Sequence, residues 1–403
     1  MPESKALPQP RPRLGLIVNP MAGLGGRVGL KGSDGDEIQR LAVKLGATPR
    51  ALDRAAEALA PLRAISGRID IVTCPGAMGE MVTARCGFSS FLVRSIGGAD
   101  RGQTTAEDTK AAAREMRRAG VDLLLFVGGD GTARDVYDAV GERQVVLGIP
   151  AGVKIHSAAY AVGPAAAATL ASAFLGQRKK RTRKAEVLDA DEDAIRQGVV
   201  CTTLHGVLRV PDDTRRLQGA KAGGGAGTTA DAAAIARRII RGLDDDTLYV
   251  VGPGTTTQTV FELLDLDKTL LGVDVLRGRR LIASDVGETR LLDLISEGES
   301  ARIVVTPIGG QGYLFGRGNQ QISPDVLRRV RCENVIVIAT AEKLNRLMTR
   351  PLLVDTGDAA IDQSLAGHVR VICGPDDDRV MRVAAVANDA PDLGNEGDPE
   401  DES

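Results

Sequence analysis

A carboxylate set between glycines is the place in this chain where residue types and spacing first suggest chemistry. Gly128-Gly129-Asp130-Gly131-Thr132 follows the apolar run Leu123-Leu124-Leu125-Phe126-Val127. Glycine lets main-chain N–H groups approach phosphate oxygens with no Cβ in the way, and a helix beginning there adds partial positive charge. Asp130 is the residue suited to act: an alcohol attacking a γ-phosphate needs its proton accepted and its oxygen aligned, and a nearby carboxylate does both. Ordering Mg²⁺ through water is the other role open to it. A tight turn with a solvated aspartate is the plainer reading, but five matching residues between a strand and a helix favour phosphate binding.

Four more glycine-rich segments follow apolar runs. Asn19-Pro20-Met21-Ala22-Gly23-Leu24-Gly25-Gly26 continues to Lys31 and Gly35, an anion-accommodating turn that matches neither a P-loop nor a dinucleotide fingerprint. Gly148 to Ser157 carries Gly152, Lys154 and Ser157 beyond another run. Gly252-Pro253-Gly254-Thr255-Thr256-Thr257 offers hydroxyls before a helix, and Thr306-Pro307-Ile308-Gly309-Gly310 leads on to Gly316-Arg317-Gly318-Asn319-Gln320-Gln321. Each alone reads equally as a structural turn. Their recurrence points to a ligand larger than one triphosphate. His156 beside Ser157 has no third partner for a nucleophilic triad, and His205 and His368 are isolated, so all three read as structural. The basic run 178–184 suits a polyanion, but a solvated helix end is the commoner origin of such a run.

These loops need a scaffold that delivers strand ends to one place. Runs at 14–18, 69–73, 123–127 and 145–149 are apolar on both faces, as a parallel strand covered on both sides requires. Helical patterns fall between them; Thr104 with Glu107 forms a capping box, and Gly120 is placed to end that helix. The alternation predicts an N-terminal open parallel α/β, Rossmann-like sheet domain over 13–160. Further strand patterns at 185–189, 199–210, 247–251, 270–276, 302–306 and 335–340 predict a second, β-rich mixed domain over 161–388, with a helix from a Thr228 and Asp231 cap to about Arg241. Residues 1–12 and the acidic 389–403 read as solvated tails, and 219–227 as an exposed glycine loop.

Bulk properties exclude some partners. The 403 residues carry 51 basic and 53 acidic side chains, so whole-chain charge makes no case for nucleic acid or membrane. No apolar run approaches a membrane span, and five scattered cysteines without a C-x-x-C pair fit reduced thiols in the cytoplasm. With 2% aromatics and no Trp, the core rests on aliphatic residues.

The motifs together resemble the ATP-NAD kinase family. Asn19-Pro20 and the Gly128–Thr132 turn correspond to its two N-terminal signatures, and the strings around 148–158, 252–257 and 304–324 look like its polyphosphate/ATP-dependent branch, which includes proteins found with acetoin-catabolism genes. The resemblance spans about 13–360, although GGDGT alone is shared with lipid kinases and is similar to a phosphofructokinase turn. It implies an active site between an α/β and a β-rich domain, with Asp130 assisting attack by the adenosine-ribose 2′-hydroxyl of NAD on the γ-phosphate of ATP or polyphosphate, with Mg²⁺. Asn19, Gly128, Gly129, Gly131, Thr132, Gly152, Lys154, Gly254, Thr255, Thr256, Thr257, Gly309 and Gly310 would line the nucleotide and phosphate site. Neither the Asn-Glu pair that holds NAD in the well-characterised branch nor its Gly-Ser-Thr-Ala-Tyr segment is found in the body of the chain, where Gly254 to Thr257 would stand in for the latter. The rivals are a related kinase acting on a small hydroxyketone or lipid, and a non-catalytic nucleotide sensor. Expected partners are small-molecule nucleotides, with self-association open.

Overall fold

The computed structural model describes residues 11–30, 36–93, 104–152, 155–190, 202–213, 216–217, 229–296, 298–308, 312–347 and 350–386. The expected acidic tail and the glycine loop 219–227 lie outside them.

The N-terminal sheet contains β1 (Arg13–Val18), β2 (Asp70–Thr73), β3 (Ser90–Leu92), β4 (Leu123–Gly128) and β5 (Val146–Pro150). All pairs are parallel, in the order β3-β2-β1-β4-β5. Strand order reverses beside β1, so the loops leaving β1 and β4 open next to each other, where ligands settle in open α/β sheets. Every residue of β4 and β5 is buried, because helices cover both faces. Helix α1 is Asp36–Lys44, α2 Ala51–Leu62, α3 Glu80–Arg85, α4 Ala106–Arg118, α5 Asp130–Val140 and α6 Pro164–Gly176.

Helix spacing explains the layers. In α4, Thr109, Ala112, Ala113 and Met116 fall at three- and four-residue steps and form its buried stripe. In α2 the stripe is Ala51, Arg54, Ala55, Ala58, Leu59 and Leu62, with a guanidinium where an aliphatic group is expected. The α4 capping box forms, but one residue later than expected: Thr105 pairs with Asp108. Gly120 has φ +69 past the helix end, the left-handed position where glycine costs least.

Two antiparallel strands, β6 (Thr182–Ala190) and β7 (Thr202–Pro211), follow α6. Their inner residues Ala185, Val187, Leu208 and Val210 join the same apolar cluster as β1 and β4, which continues to Leu217. The basic run leaves the end of α6 as an exposed segment over 178–181, as a solvated helix end would, and then enters β6. Lys180 pairs with Asp122, and Lys184 with Glu142 at 3.0 Å.

The C-terminal sheet is mixed and nine-stranded. It comprises β8 (Leu248–Val251), β9 (Asp274–Arg277), β10 (Arg280–Ala283), β11 (Ala301–Val305), β12 (Tyr313–Phe315), β13 (Val335–Ile338), β14 (Leu352–Val354), β15 (Gly367–Ile372) and β16 (Asp378–Ala385). The order is β10-β9-β8-β11-β13-β15-β16-β14-β12. The expected strand at 270–276 is shorter and later than its apolar pattern, because Gly272 turns the chain before β9 begins. The helix Thr229–Arg241 forms as expected. Contact between the two bodies includes the Tyr313 hydroxyl donating to the Val162 carbonyl and the Glu288 N–H donating to the Arg27 carbonyl at 3.0 Å. Among the described residues no helix is long and apolar enough to cross a membrane.

Candidate active site

Asp130 is the first residue of α5, with Gly129 as its N-cap, so the Asp-Gly-Thr of the motif is already helix rather than turn. The side chain accepts two main-chain hydrogen bonds, from the His156 N–H at 2.7 Å and the Ser157 N–H at 3.0 Å. Burial pushes the Asp130 carboxyl up from the ordinary 3.8, against the Ser157 and His156 hydrogen bonds and the Arg134 charge, which pull it down. The net result is a carboxylate fixed in direction and more basic than a solvated one, as proton acceptance requires.

Neighbouring loops lock the turn. Asn19 sends its side-chain amide to Thr132 Oγ1 at 3.0 Å and its own N–H to the Val127 carbonyl at 3.0 Å. The loops leaving β1 and β4 are thereby tied together. Ala151 and Gly152 N–H groups both donate to the Gly128 carbonyl, at 3.0 and 3.2 Å, and the buried Tyr160 hydroxyl donates to the Gly129 carbonyl at 2.5 Å. Ser157 accepts from the Leu188 N–H at 3.0 Å, so β6 braces the segment that holds Asp130. Glycine at 128 is obligatory, because the Thr132 side chain occupies the place of a Cβ. Gly129 is extended, with φ −118, and its constraint is spatial: a Cβ there would meet Gly152 Cα at 3.3 Å.

Gly152 also lines a cavity between the two bodies. Its walls carry Arg27 from the β1 loop, Arg50 and Arg54 from the start of α2, and Arg317 and Asp355 from the loops after β12 and β14. Arg54 grips Asp355 with both terminal nitrogens, one at 2.8 Å, while its Nε donates to the Pro150 carbonyl at 3.3 Å. Arg317 reaches the same carboxylate at 3.3 Å. Burial alone would raise Asp355, but Arg54 and Arg317 outweigh it and hold the carboxyl below 3.8.

Asn19, Gly128, Gly129, Asp130, Gly131, Thr132 and Gly152 are thus brought together. Lys154, Gly309 and Gly310, and Lys31 with them, lie outside the described residues. Gly254 to Thr257 form a separate turn at the end of β8: the Thr257 hydroxyl bonds to the Gly252 and Gly254 carbonyls at 2.9 and 2.8 Å, and Thr256 is buried. This turn does not itself line the cavity. It stands behind the wall, with a Cβ at Gly252 falling 3.8 Å from Ile322, a lining residue. Sequence reasoning missed Arg27, Arg50, Arg54, Arg317 and Asp355. One signal existed for Arg54, a charge inside an otherwise apolar helical stripe, and one for Arg317, which sits among glycines.

His205 accepts the structural role expected of it, with Nε2 2.9 Å from Asp138 and the ring edge-on to Tyr137. Among the described residues no group of three or more His, Cys, Asp or Glu side chains could enclose a metal ion. The Asp130 oxygens each take one N–H, leaving capacity for a hard cation held chiefly by phosphate and water, the usual manner of Mg²⁺.

A parallel α/β body and a mixed β-rich body meet across a cleft beside a glycine-flanked aspartate, and each body is matched by its own family model. The ATP-NAD kinase N-terminal domain model matches residues 14–178, and the ATP-NAD kinase C-terminal domain model matches residues 244–383. The chain belongs to the ATP-NAD kinase family. No curated protein is significantly similar to it. A solved structure described as a putative diacylglycerol kinase from Bacillus anthracis str. Sterne is 17% identical, over 43% of this chain and 45% of that one, with a TM-score of 0.22. This chain thus spans under half the length of that structure, and a likeness so slight carries no argument.

Proposed function

We propose that this chain transfers the γ-phosphate of ATP to the adenosine-ribose 2′-hydroxyl of NAD, giving NADP. The observation that carries the reading is Asp130 at the head of α5, its carboxylate oriented by the His156 and Ser157 N–H groups. In the proposed step the 2′-hydroxyl donates its proton to Asp130 while its oxygen attacks the γ-phosphorus. The bond to the β,γ-bridging oxygen breaks, ADP leaves, and Asp130 returns the proton to solvent. Mg²⁺, when bound, supplies charge neutralisation on the phosphate oxygens, with Asp130 the carboxylate available to order it. Gly128, Gly129 and Gly152 keep side chains away from the phosphates, and the first turn of α5 presents N–H groups to them. Gly254, Thr255 and Thr256, with Lys154, Gly309 and Gly310, complete the proposed nucleotide site, and Thr257 braces the turn that carries the first three.

Incubating the purified protein with ATP, Mg²⁺ and separately NAD, NADH and acetoin, followed by product mass, tests this reading. One phosphoryl group added to NAD is expected. Phosphorylation of acetoin with NAD unchanged would reassign the acceptor.

A further inference from the structure

Four arginines, Arg27, Arg50, Arg54 and Arg317, line one cavity, and among the described residues Asp355 is the only acidic one in its lining. Their partners are unequal. Arg54 is committed to Asp355, Glu57 and the Pro150 carbonyl. Arg317 is 4% exposed and shares Asp355, yet its Nε has no hydrogen-bond partner among the described residues. Among the described residues Arg50 donates to the Thr356 and Gly357 carbonyls alone, at 3.1 and 3.3 Å, and forms no salt bridge with a described carboxylate. Arg27 reaches Glu288 only at 3.8 Å, a loose pair.

Bringing like charges to one wall opposes folding, and the strain is visible at Arg50. Burial, then the charges of Arg54 and Arg27, lower its pKa. An anion in the cavity would reverse that penalty. The space is about 50 Å³. By the same measure a water needs roughly 10–15 Å³, so the cavity has room for one phosphoryl group. Glycines at 23, 26 and 152 bring bare main chain to the same wall.

We propose that Arg27 and Arg50, backed by Arg317, form a subsite for one phosphoryl group of an oligophosphate ligand, distinct from the Gly128–Thr132 turn. Planar guanidiniums suit phosphate because each offers two parallel N–H donors. The subsite rests on the phosphoryl-transfer reading only for the identity of its ligand, and its test reads binding rather than turnover.

Calorimetric titration of the full chain with pyrophosphate and tripolyphosphate provides that test, comparing wild type with Arg50→Gln, Arg27→Gln and the double variant. Each single change should weaken tripolyphosphate binding about tenfold, and the double change more, as expected for losing charge-assisted hydrogen bonds. Melting curves identify a variant that fails to fold, and Arg27→Gln, at a part-exposed loose pair, keeps the comparison available in that case. Displacement of bound pyrophosphate by ATP assigns the group to the donor, and displacement by NAD alone assigns it to the acceptor; both support the subsite. Tripolyphosphate affinity unchanged within about twofold in folded variants, less than one such bond is worth, would overturn it. Failure of NAD phosphorylation leaves this result intact, so the two readings fail separately.

Discussion

Asp130 joins two properties that seldom coexist in a surface carboxylate: a fixed orientation and a raised pKa. Replacing it by Asn keeps the size but removes the proton acceptor and sets an amide against one of two N–H donors. Turnover should fall by about 10²–10⁴, the range for a positioned general base, with the circular dichroism spectrum retained. Near-wild-type turnover in the folded variant would move the chemistry elsewhere. The pH profile gives a second check. Because burial raises the Asp130 pKa, the acidic limb of kcat/KM should lie above 3.8 and vanish from the residual activity of Asp130→Asn. A limb unchanged in the variant would assign it to another group. Folding itself has the opposite sign, since a raised carboxyl pKa means that stability declines as pH climbs through it. The glycine motif by itself marks Asp130. Its tether carries no such mark, since His156 and Ser157 lie 26 and 27 residues away and donate through main chain, which side-chain identity cannot reveal.

Among the elements, β1, β4 and β5 follow their apolar runs because burial on both faces leaves no alternation to confuse. Ser90–Leu92 is hard to see in the sequence because it is a three-residue edge strand with Phe91 and Leu92 exposed. The α4 cap sits one residue beyond its expected place because Thr104 and Thr105 head overlapping boxes, with Glu107 and Asp108 respectively, and the chain uses the second. The Gly252 to Thr257 turn is legible as glycine and hydroxyl chemistry, yet the Thr257 hydroxyl is spent inside the turn. Thr257→Val should therefore cost about 1–2 kcal/mol through its lost hydrogen bond to the Gly252 carbonyl, read as a lowered melting temperature, whereas the Gly254 carbonyl keeps the Gln258 N–H at 3.0 Å. An unchanged melting temperature would free that hydroxyl for a ligand.

Across the whole molecule, the Arg54–Asp355–Arg317 cluster joins the two bodies beside the cleft, and it is invisible in the sequence because its members lie up to 301 residues apart. Asp355→Asn would leave two buried guanidiniums without their shared counter-charge and should cost about 3–5 kcal/mol, seen in chemical denaturation. A loss below about 1 kcal/mol, the worth of an exposed pair, would mean that the cluster is not a structural clasp. The pH sign follows from its lowered pKa: the contribution is complete above 3.8 and is lost as pH falls through the folded-state value. Fold class and the first half of the site are thus readable locally, whereas the cleft depends on contacts that only the folded chain creates. Asp130-assisted phosphorylation of NAD is the central claim, and the mass of NAD after incubation with ATP and Mg²⁺ tests it most directly. Wild type should add one phosphoryl group at the adenosine ribose and Asp130→Asn should add almost none, whereas unmodified NAD with wild type, or equal product from both, would contradict it.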